Sequence, residues 1–499
     1  MEKDIKTEAT EKRKINLKFI HIVIIVVGII FISLPIFHTN MWFDESYSIA
    51  MTRHSFAEIW EIGGHDVHPI LYYYCLHILY LIFGENIIIY RAFSALTIAL
   101  MGIIGYTHIR KDFGEKTGLL FSFFSLFLPV ASQYSGEIRM YSLGMLLGTI
   151  MAIYAYRIYK GENKKITYIF FGLSSLAVAY THYYGVMFAG IINLLLLIYL
   201  IKNRKDRKKD LIAFTITAII QIILYMPWLI YFVSQLKGTG FWITLTFPGT
   251  VYEVLTTQFR GNLSYCPVIF TTLFYVYIAY LVFATKKEER KPGTWCFMIY
   301  VAIIIAALLI SLCLQSVILL FRYLLIVTGI LIFGISFFMA KDTKKWRVIT
   351  ACAIILIIAC YSNIISIKEA YNKGNRDFIE YLDSQIQEND IIVYSNAING
   401  AVITTEVSQK HDNTSYFYDK ENWNVEEAYK SFAPYMEIKK TINDILDNYS
   451  GRVWIIENGN THDLLNEISE KYTINKLEDR QFKNKYKNYE YTIELIEIK

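Results

Sequence analysis

Ten long stretches that contain no charged residue divide the first 367 residues of the chain, and they decide its fold class. A helix needs about 20 apolar residues to cross roughly 30 Å of hydrocarbon, so each stretch is of spanning length. With 54% hydrophobic and 19% charged residues, the chain is too apolar for a soluble protein of 499 residues. The stretches are Phe19–Phe43, Ala92–Ile109, Thr117–Gly136, Met140–Tyr156, Ile166–Ile201, Leu211–Leu236, Gly261–Thr285, Pro292–Phe321, Tyr323–Ala340 and Val348–Ile367.

One of these stretches, Ile166–Ile201, is too long for a single crossing. The segment Thr181–Gly185 lies near its middle and carries the polar and glycine residues of a turn, so we expect two helices there. The first stretch lacks a small-residue cleavage site, which indicates a membrane anchor rather than a cleaved signal peptide. The sequence therefore predicts a mainly α, polytopic membrane protein with about eleven transmembrane helices.

The positive charges before residue 368 are concentrated in six short clusters, which hold 27 of the 33 lysines and arginines there. Basic loops stay in the cytoplasm, so the N-terminus and all six clusters are predicted to lie inside. The clusters are Lys3–Lys18, Arg110–Lys116, Arg157–Lys165, Lys202–Lys209, Lys286–Lys291 and Lys341–Arg347.

A further uncharged run, Val67–Gly84, is long enough to be mistaken for a crossing. If it crossed, the later basic clusters would lie opposite the N-terminal one, which the charge pattern disfavours. The run also contains His68, Pro69 and His77, which suit an interfacial or re-entrant helix on the outer face. The predicted outer segments are then Asp44–Gly84, Gln133–Tyr141, Thr181–Tyr184, Gln235–Tyr265 and the turn before Arg322.

The last part of the chain, residues 368–499, differs sharply in composition from the first 367. It carries 24 acidic and 16 basic residues and alternates helical with strand-like segments, which predicts a separate extracytoplasmic α/β domain. None of the six cysteines falls in it, so no disulfide framework is expected. The predicted helices are Arg376–Gln387, Thr441–Tyr449 and Asp463–Tyr472, and the predicted strands are Ile391–Tyr394, Arg452–Glu457 and Tyr489–Ile498.

Candidate catalytic groups follow the first stretch directly, at the start of an outer loop that covers residues 40–90. Asp44 and Glu45 are adjacent carboxylates at the outer end of a spanning helix, a position that suits a general base. Acids are also common at solvated helix ends, where they act only as caps. The residues alone leave both interpretations open.

The same loop continues with histidines and tyrosines. His65, Asp66 and His68 are ligand types at close spacing, so a divalent metal is conceivable, but the spacing matches no specific zinc motif. Interfacial histidines and tyrosines such as Tyr72 also belong to the aromatic belt of an outer-leaflet helix. We expect substrate contact from this loop and do not predict a metal.

Later outer segments add charged and aromatic candidates. Placing a charge deep in lipid costs up to about 3 kcal/mol, so Glu137 and Arg139 are expected to pair or to line a wet cavity. Arg322 is placed to bind a lipid phosphate, or alternatively to reach the headgroups without a specific partner. Tyr141, His182, Tyr183 and Tyr323 are predicted to face the same compartment.

Four ordered motifs resemble the bacterial membrane glycosyltransferases related to protein O-mannosyltransferases and to the lipid A aminoarabinose transferases. Each motif is weak alone, but all four fall in predicted outer segments and cover roughly the first 200 residues. Beyond them, the resemblance is only one of general layout. The motifs are Phe43-Asp44-Glu45-Ser46, Asp66-Val67-His68-Pro69-Ile70-Leu71-Tyr72-Tyr73, Tyr134-Ser135-Gly136-Glu137-Ile138-Arg139-Met140-Tyr141 and Tyr180-Thr181-His182-Tyr183-Tyr184-Gly185.

The resemblance implies a GT-C type fold and a polyprenyl-phosphate sugar as donor, with inversion at the anomeric carbon. It implies that Asp44 is the base and Glu45 its support or a substrate contact. Arg139 and Arg322 become candidates for the carrier phosphate, and no cofactor is required. This chain departs from the commoner pattern at Ile70, where a second proline is usual, and before Glu137, where glutamine is commoner; these differences affect loop geometry more than the charged positions.

Three other functions fit the same layout less well. An envelope polysaccharide polymerase or ligase usually carries its main functional loop late in the chain, whereas here the acids crowd the first loop. A flippase or transporter would place charges in mid-helix or in paired broken helices, and a sensor would need a cytoplasmic output domain. The expected partners are the bilayer, the lipid-linked donor and an extracytoplasmic glycan, lipid or protein acceptor, but no nucleic acid.

Overall fold

The structure is a computed structural model that describes residues 16–236, 246, 248–261, 263, 268–407, 411, 413–419, 429–484 and 486–499. Part of the predicted outer segment Gln235–Tyr265 and most of the N-terminal basic cluster lie outside the described residues. The α-helices of the first part are Leu17–Ser33, Phe43–Ala50, Phe56–His65, Leu71–Phe83, Ile87–Ile104, Arg110–Phe113, Glu115–Phe127, Pro129–Ser135, Tyr141–Lys160, Lys165–Thr181, Tyr183–Lys202, Lys208–Leu236, Gly249–Arg260, Val268–Ala284, Lys291–Leu314, Thr328–Met339 and Lys345–Ala370.

Within the described residues, seven helices are long and apolar enough to cross a membrane. The number becomes eight if Glu115–Phe127 and Pro129–Ser135, which meet at 57°, form one bent span. The predicted split of Ile166–Ile201 is confirmed, because one helix ends at Thr181 and the next begins at Tyr183. Each of the eleven predicted stretches contains a helix, but the number of crossings and the side of each loop stay predictions.

The run Val67–Gly84 forms a short helix, Leu71–Phe83, that is too short to meet the spanning criterion. Its inner face is buried against the rest of the first outer loop, where His77 Nδ1 lies 2.8 Å from the carbonyl oxygen of Thr52. A histidine side chain satisfied in this way fits the predicted interfacial helix. Its position relative to a bilayer stays a prediction.

The C-terminal part folds into a six-stranded sheet flanked by helices, which confirms the predicted α/β class. Strand order is β3-β2-β1-β4-β6-β5, with parallel pairing from β3 through β4 and antiparallel pairing in the β4-β6-β5 half. The strands are β1 Ile391–Tyr394, β2 Ser415–Tyr418, β3 Glu437–Lys439, β4 Gly451–Asn458, β5 Ile474–Lys483 and β6 Glu490–Ile498, and the helices are Asp377–Gln385, Ala397–Val407, Asn443–Leu446 and Asp463–Lys471.

The sheet domain packs directly on the first outer loop. His54 Nε2 lies 2.9 Å from the carbonyl oxygen of Ser431, and the hydroxyl of Tyr435 donates to Glu85 at 2.8 Å. The loop between β5 and β6 reaches the start of the helix Phe43–Ala50, where the backbone N–H of Phe43 donates to the Tyr489 hydroxyl at 3.1 Å. The two parts of the chain therefore meet at the residue that precedes the acid pair.

Candidate active site

The acid pair lies at the start of a short, largely buried helix. Asp44 and Glu45 occupy the first turn of Phe43–Ala50, where carboxylates interact favourably with the positive end of the helix dipole. Glu45 accepts a hydrogen bond from the Trp42 backbone N–H at 3.3 Å, which closes that turn. Because neighbouring side chains on a helix point about 100° apart, the two carboxylates face different surroundings.

The Glu45 carboxylate faces inward and is occupied by several donors. Arg91 Nη1 lies 2.7 Å from Oε1 and Arg91 Nη2 lies 3.1 Å from Oε2, and both side chains are fully buried. The Ile138 backbone N–H and the Tyr486 hydroxyl donate to the same carboxylate at 3.0 and 3.4 Å. Arg91 also donates to the carbonyl oxygens of His38, Asn40 and Gly136. Glu45 thus holds the loop segments together and leaves Asp44 facing outward.

The Asp44 carboxylate lies between two arginines that come from distant parts of the chain. Arg139 Nε is 3.8 Å and Arg322 Nη1 is 3.5 Å from Asp44 Oδ2. Arg139 Nη1 also donates to the Asp44 carbonyl oxygen at 3.2 Å, which fixes the guanidinium against the helix start. The Asp44 side chain remains 18% exposed, so it lies where the buried cations meet accessible space. Two planar guanidinium groups beside one carboxylate can also bind phosphate oxygens.

Aromatic side chains from four segments complete the wall beside these charges. The Tyr323 ring lies 4.7 Å from the ring of His182, 5.8 Å from that of His68 and 6.4 Å from that of Tyr141. Four of the predicted site residues, remote in sequence, therefore share one cluster. Such a wall presents flat apolar surface with a few polar atoms, as sugar and lipid headgroup sites do.

Several polar atoms in this region are buried and have no hydrogen-bond partner within the part of the chain that the structure describes. They are Asp44 Oδ2, Arg139 Nε, His68 Nδ1, Tyr141 Oη and His182 Nε2. Buried polar atoms are almost always paired in folded proteins, so a group of them in one place indicates a binding site.

His182 shows how local structure sets the chemistry of this wall. Its Nδ1 accepts a hydrogen bond from the Tyr184 backbone N–H at 3.0 Å, so the neutral ring carries its proton on Nε2. Burial, with smaller contributions from Arg139 and Arg322, lowers the pKa of His182 to about 3. Gly185 allows the tight turn, because a Cβ there would lie 2.0 Å from the Val178 carbonyl oxygen. The ring is therefore a neutral donor at neutral pH.

Asp66 is a second carboxylate near Arg139, although it is not paired with it. The Tyr73 hydroxyl donates to Asp66 Oδ2 at 3.0 Å. Burial raises the pKa of Asp66, while Arg139 and the hydrogen bonds from Val67 and Tyr73 oppose that rise. Of these two predicted residues, His68 thus belongs to the aromatic cluster, whereas Asp66 lies near Arg139 and the Tyr73 hydroxyl.

Three predicted site residues do not join the cluster. His65 is exposed, and its ring contacts Tyr231 at 6.4 Å. The Tyr72 hydroxyl is buried 3.3 Å from the Ser94 hydroxyl, inside the helix packing. The Tyr183 hydroxyl contacts Gln235 and accepts from Trp228 at 3.3 Å, on another side of the same turn. For these three residues, side-chain direction rather than sequence spacing decides the outcome.

Metal ligands converge elsewhere in the described part of the chain. The one group found there with three converging ligand atoms is Glu457, His462 and Glu494 in the C-terminal sheet, whereas His65, Asp66 and His68 form no such group. Glu457 accepts from the Leu464 backbone N–H at 2.9 Å and so caps a helix. His462 and Lys476 both contact Glu494. Protein groups therefore already contact one oxygen of each of these two carboxylates.

The site has three contributors that the sequence did not reveal, and the first two are Trp42 and Lys487. The Arg322 guanidinium carbon lies 5.7 Å from the Trp42 ring centre and Lys487 Nζ lies 5.0 Å from it. Lys487 Nζ is also 3.3 Å from Glu137 Oε1. The third contributor is Arg91. Arg91 could have been found, since it is one of only six basic residues before residue 368 outside the six basic clusters.

Two open spaces adjoin these groups. One of about 30 Å³ is lined by Glu137, Glu369, Tyr486 and Lys487, and another of about 280 Å³ is lined by Tyr134, Arg260 and Phe321. Gln133 lines both, so the two spaces are neighbours. The site therefore has room for a ligand beside Tyr134 and a smaller gap beside Glu137.

Comparison with known proteins agrees with this arrangement. Residues 67–231 match the family model described as dolichyl-phosphate-mannose-protein mannosyltransferase. The structure of ArnT from Cupriavidus metallidurans in the apo state is similar over 95% of this chain and 97% of that one, with a TM-score of 0.65 at 9% identity. This is the GT-C fold of membrane glycosyltransferases. ArnT bound to undecaprenyl phosphate gives a TM-score of 0.58 at 10% identity, with coverage of 95% and 97%.

The comparisons confirm the predicted resemblance, the predicted fold and the predicted enzyme class. The family model, whose match includes two of the motifs and all of a third except Asp66, supports the class of this glycosyltransferase, and the ArnT structures support its fold. No curated protein matches this chain by sequence. The roles of individual residues in this glycosyltransferase follow from neither comparison.

Proposed function

We propose that this membrane glycosyltransferase transfers a sugar from a polyprenyl-phosphate carrier to an extracytoplasmic acceptor, with Asp44 as the general base. The observation that carries the proposal is the position of the Asp44 carboxylate between Arg139 and Arg322. A base with two phosphate-binding cations within 4 Å of its carboxylate is what a transfer from a phosphate leaving group needs.

The reaction is a single displacement at the anomeric carbon. Asp44 takes the proton of an acceptor hydroxyl, and the hydroxyl oxygen forms a bond to that carbon. The bond between the anomeric carbon and the phosphate oxygen breaks, and its electron pair leaves with the polyprenyl phosphate. Arg139 and Arg322 stabilise the charge that develops on the departing oxygen. Attack from the face opposite the leaving group inverts the anomeric configuration.

The lipid carrier is proposed on two grounds. ArnT from Cupriavidus metallidurans, which has the same fold, binds undecaprenyl phosphate. The site lies at the ends of apolar helices rather than beside a glycine-rich nucleotide loop, of which the sequence shows none. A lipid-linked donor presents its phosphate at this depth, while its chain stays in hydrocarbon.

The orientation follows from the charge pattern. The basic clusters place the N-terminus in the cytoplasm, so Asp44 and the C-terminal sheet domain face outward. Nucleotide sugars are absent from that compartment, which makes a lipid-linked donor necessary. The acceptor is a glycan, a lipid or a protein of the cell envelope.

A transfer assay with the purified full chain in nanodiscs tests the proposal. Radiolabelled undecaprenyl-phosphate sugars are offered together with envelope fractions of cells that lack the protein. We expect label to move from one of these donors to an envelope acceptor, and no label to move from nucleotide sugars. Transfer from a nucleotide sugar contradicts the proposal. So does passage of the labelled lipid across a bilayer without transfer, which indicates a flippase.

A further inference from the structure

The turn between β5 and β6 inserts into the candidate active site from the sheet domain. The Tyr489 hydroxyl accepts from the Phe43 backbone N–H, and the Tyr486 hydroxyl donates to Glu45. The Tyr486 backbone N–H donates to Asn375 Oδ1 at 3.0 Å, which fixes the turn from a third direction. The tip of this hairpin, residues 486–489, is therefore held at the acid pair on both sides.

The backbone of the hairpin tip is strained in a way that aims one lysine. Lys487 and Asn488 both have positive φ values, 59° and 55°. Two such residues in succession belong to hairpin turns that favour asparagine and glycine, and asparagine occupies the second position here. A lysine has no conformational advantage in the first position. A residue kept in an unfavourable backbone region beside a candidate site points to a role for its side chain.

The lysine side chain ends among groups that suit an anion. Lys487 Nζ lies 5.0 Å from the Trp42 ring centre, and the Arg322 guanidinium lies 5.7 Å from the same ring. The Trp42 indole N–H is buried and has no acceptor among the residues that the structure describes. Two cations thus lie near one indole, whose own N–H is an unused donor. A phosphate group offers acceptors to all three.

The acidic residues around Lys487 determine which partner its ammonium group has when no ligand is bound. Glu137 is its partner at 3.3 Å, Glu369 lines the same space, and Glu45 is already occupied by Arg91. The ammonium is not sealed by these contacts, since 32% of the Lys487 side chain remains exposed toward that space. Exposed long side chains exchange partners easily, so Lys487 can leave Glu137 for a stronger anion.

We propose that Lys487 binds a phosphate oxygen of the polyprenyl-phosphate donor, so that the sheet domain supplies part of the donor site. This inference rests on the proposed function. It explains why the sheet domain contacts the acid pair through a strained hairpin: the third cation of the site comes from a different domain than Arg139 and Arg322. The domain then completes the site, beyond any contact it makes with the acceptor.

The test measures the affinity of the full chain for undecaprenyl phosphate in nanodiscs, together with KM and kcat for transfer. We expect Lys487→Ala to weaken binding about tenfold or more, as the loss of one charge-assisted hydrogen bond does, and to raise KM similarly. Lys487→Arg should recover most of the affinity. Lys483→Ala is the matched control, because Lys483 lies on the same hairpin and pairs with Glu490 at the surface; its affinity should equal that of the unmodified chain.

A second variant separates phosphate binding from a purely structural ion pair. Glu137→Gln removes the resting partner, so it should leave the affinity for undecaprenyl phosphate unchanged or higher. If Glu137→Gln and Lys487→Ala lower thermal stability equally and neither weakens lipid binding, the pair only holds the hairpin and the inference is wrong.

Two further measurements identify the source of the phosphate and distinguish failure of the proposed role of Lys487 from failure of the proposed function. Lys487→Ala should not change the affinity of the protein for phosphatidylglycerol vesicles; a loss confined to that lipid would make Lys487 a headgroup contact and overturn the inference. If the unmodified chain binds no undecaprenyl phosphate and transfers no sugar, the proposed function itself fails. Normal binding and transfer by Lys487→Ala would refute only the role of the lysine.

Discussion

Arg91 and Glu45 form a fully buried ion pair, with Nη1 and Oε1 2.7 Å apart, directly behind the partly buried carboxylate of Asp44. The pair joins the first outer loop to a membrane helix. It also assigns different tasks to two adjacent acids: Glu45 holds the structure, and Asp44 faces the cleft. A single sequence motif therefore combines a support with a candidate base.

The buried pair should matter for stability more than any surface ion pair of the chain. Replacing Arg91 with Met leaves a buried carboxylate without its partner, which costs about 3–5 kcal/mol. Thermal unfolding in detergent measures the effect. Lys164→Met breaks an exposed pair with Glu162 and should cost less than about 1 kcal/mol. Equal stability of the two variants would show that the Arg91–Glu45 pair is not a structural support.

The two arginines beside Asp44 should control the rate of transfer rather than the fold. Arg322→Gln and Arg139→Gln each remove a cation from the departing phosphate, and we expect kcat/KM to fall about 100- to 1,000-fold. Steady-state kinetics with a polyprenyl-phosphate sugar measures this. Arg480→Gln, an exposed position in the sheet domain, should keep normal kinetics. A normal rate in both cleft variants would remove the arginines from the site.

The sequence indicated most of this site because charges near lipid are costly and therefore few. Asp44, Arg139 and Arg322 each interrupt or border an apolar stretch, and the structure brings them together. Arg91 was missed because it begins an apolar stretch and has no motif around it. Its partner, Glu45, was visible, but pairing between positions 46 residues apart depends on helix packing that one sequence does not encode locally.

The C-terminal domain was harder to predict, for a different reason. Strand β5 reads Ile-Asn-Lys-Leu-Glu-Asp-Arg-Gln-Phe-Lys and is exposed along most of its length, so it lacks the alternation of a half-buried strand. It is an edge strand, where charged residues prevent unwanted pairing. The Lys487 turn follows this strand, and so its place in the site was hidden as well.

The buried histidines should make stability depend on pH. The pKa of His182 is lowered to about 3 by burial, with Arg139 and Arg322 adding to the effect, against an ordinary value of 6.5. The unfolded chain therefore takes up a proton that the folded chain refuses, and stability falls as pH drops from 6.5 toward 3. Between pH 6.5 and 4.5, the free energy of unfolding of His182→Asn should fall by about 2 kcal/mol less than that of the unmodified chain.

Denaturation at a series of pH values measures this difference. Asn475→Ala changes an exposed side chain of the sheet domain that does not titrate, and it should retain the full pH dependence. If His182→Asn follows the same curve as the unmodified chain, the His182 ring is not held neutral by its surroundings.

The sheet domain and Asp44 should lie on the same side of the membrane, opposite the basic loops. A cysteine at Asp479, introduced into a variant with all six native cysteines replaced by serine, should react with an impermeant maleimide in intact cells. A cysteine at Lys205 should react only after the membrane is opened. Both positions are exposed, so accessibility to the reagent decides the outcome. The opposite labelling pattern would reverse the topology and remove the argument for a lipid-linked donor.

The Asp44 carboxylate should remove the proton from the acceptor during transfer. Asp44→Asn keeps the size of the side chain and abolishes its basicity. The rate of single-turnover transfer by this variant therefore tests whether Asp44 is the base. We expect the rate to fall about 100- to 10,000-fold, while affinity for undecaprenyl phosphate and the unfolding temperature stay close to those of the unmodified chain. A folded, donor-binding Asp44→Asn protein that transfers sugar at the normal rate would contradict the account.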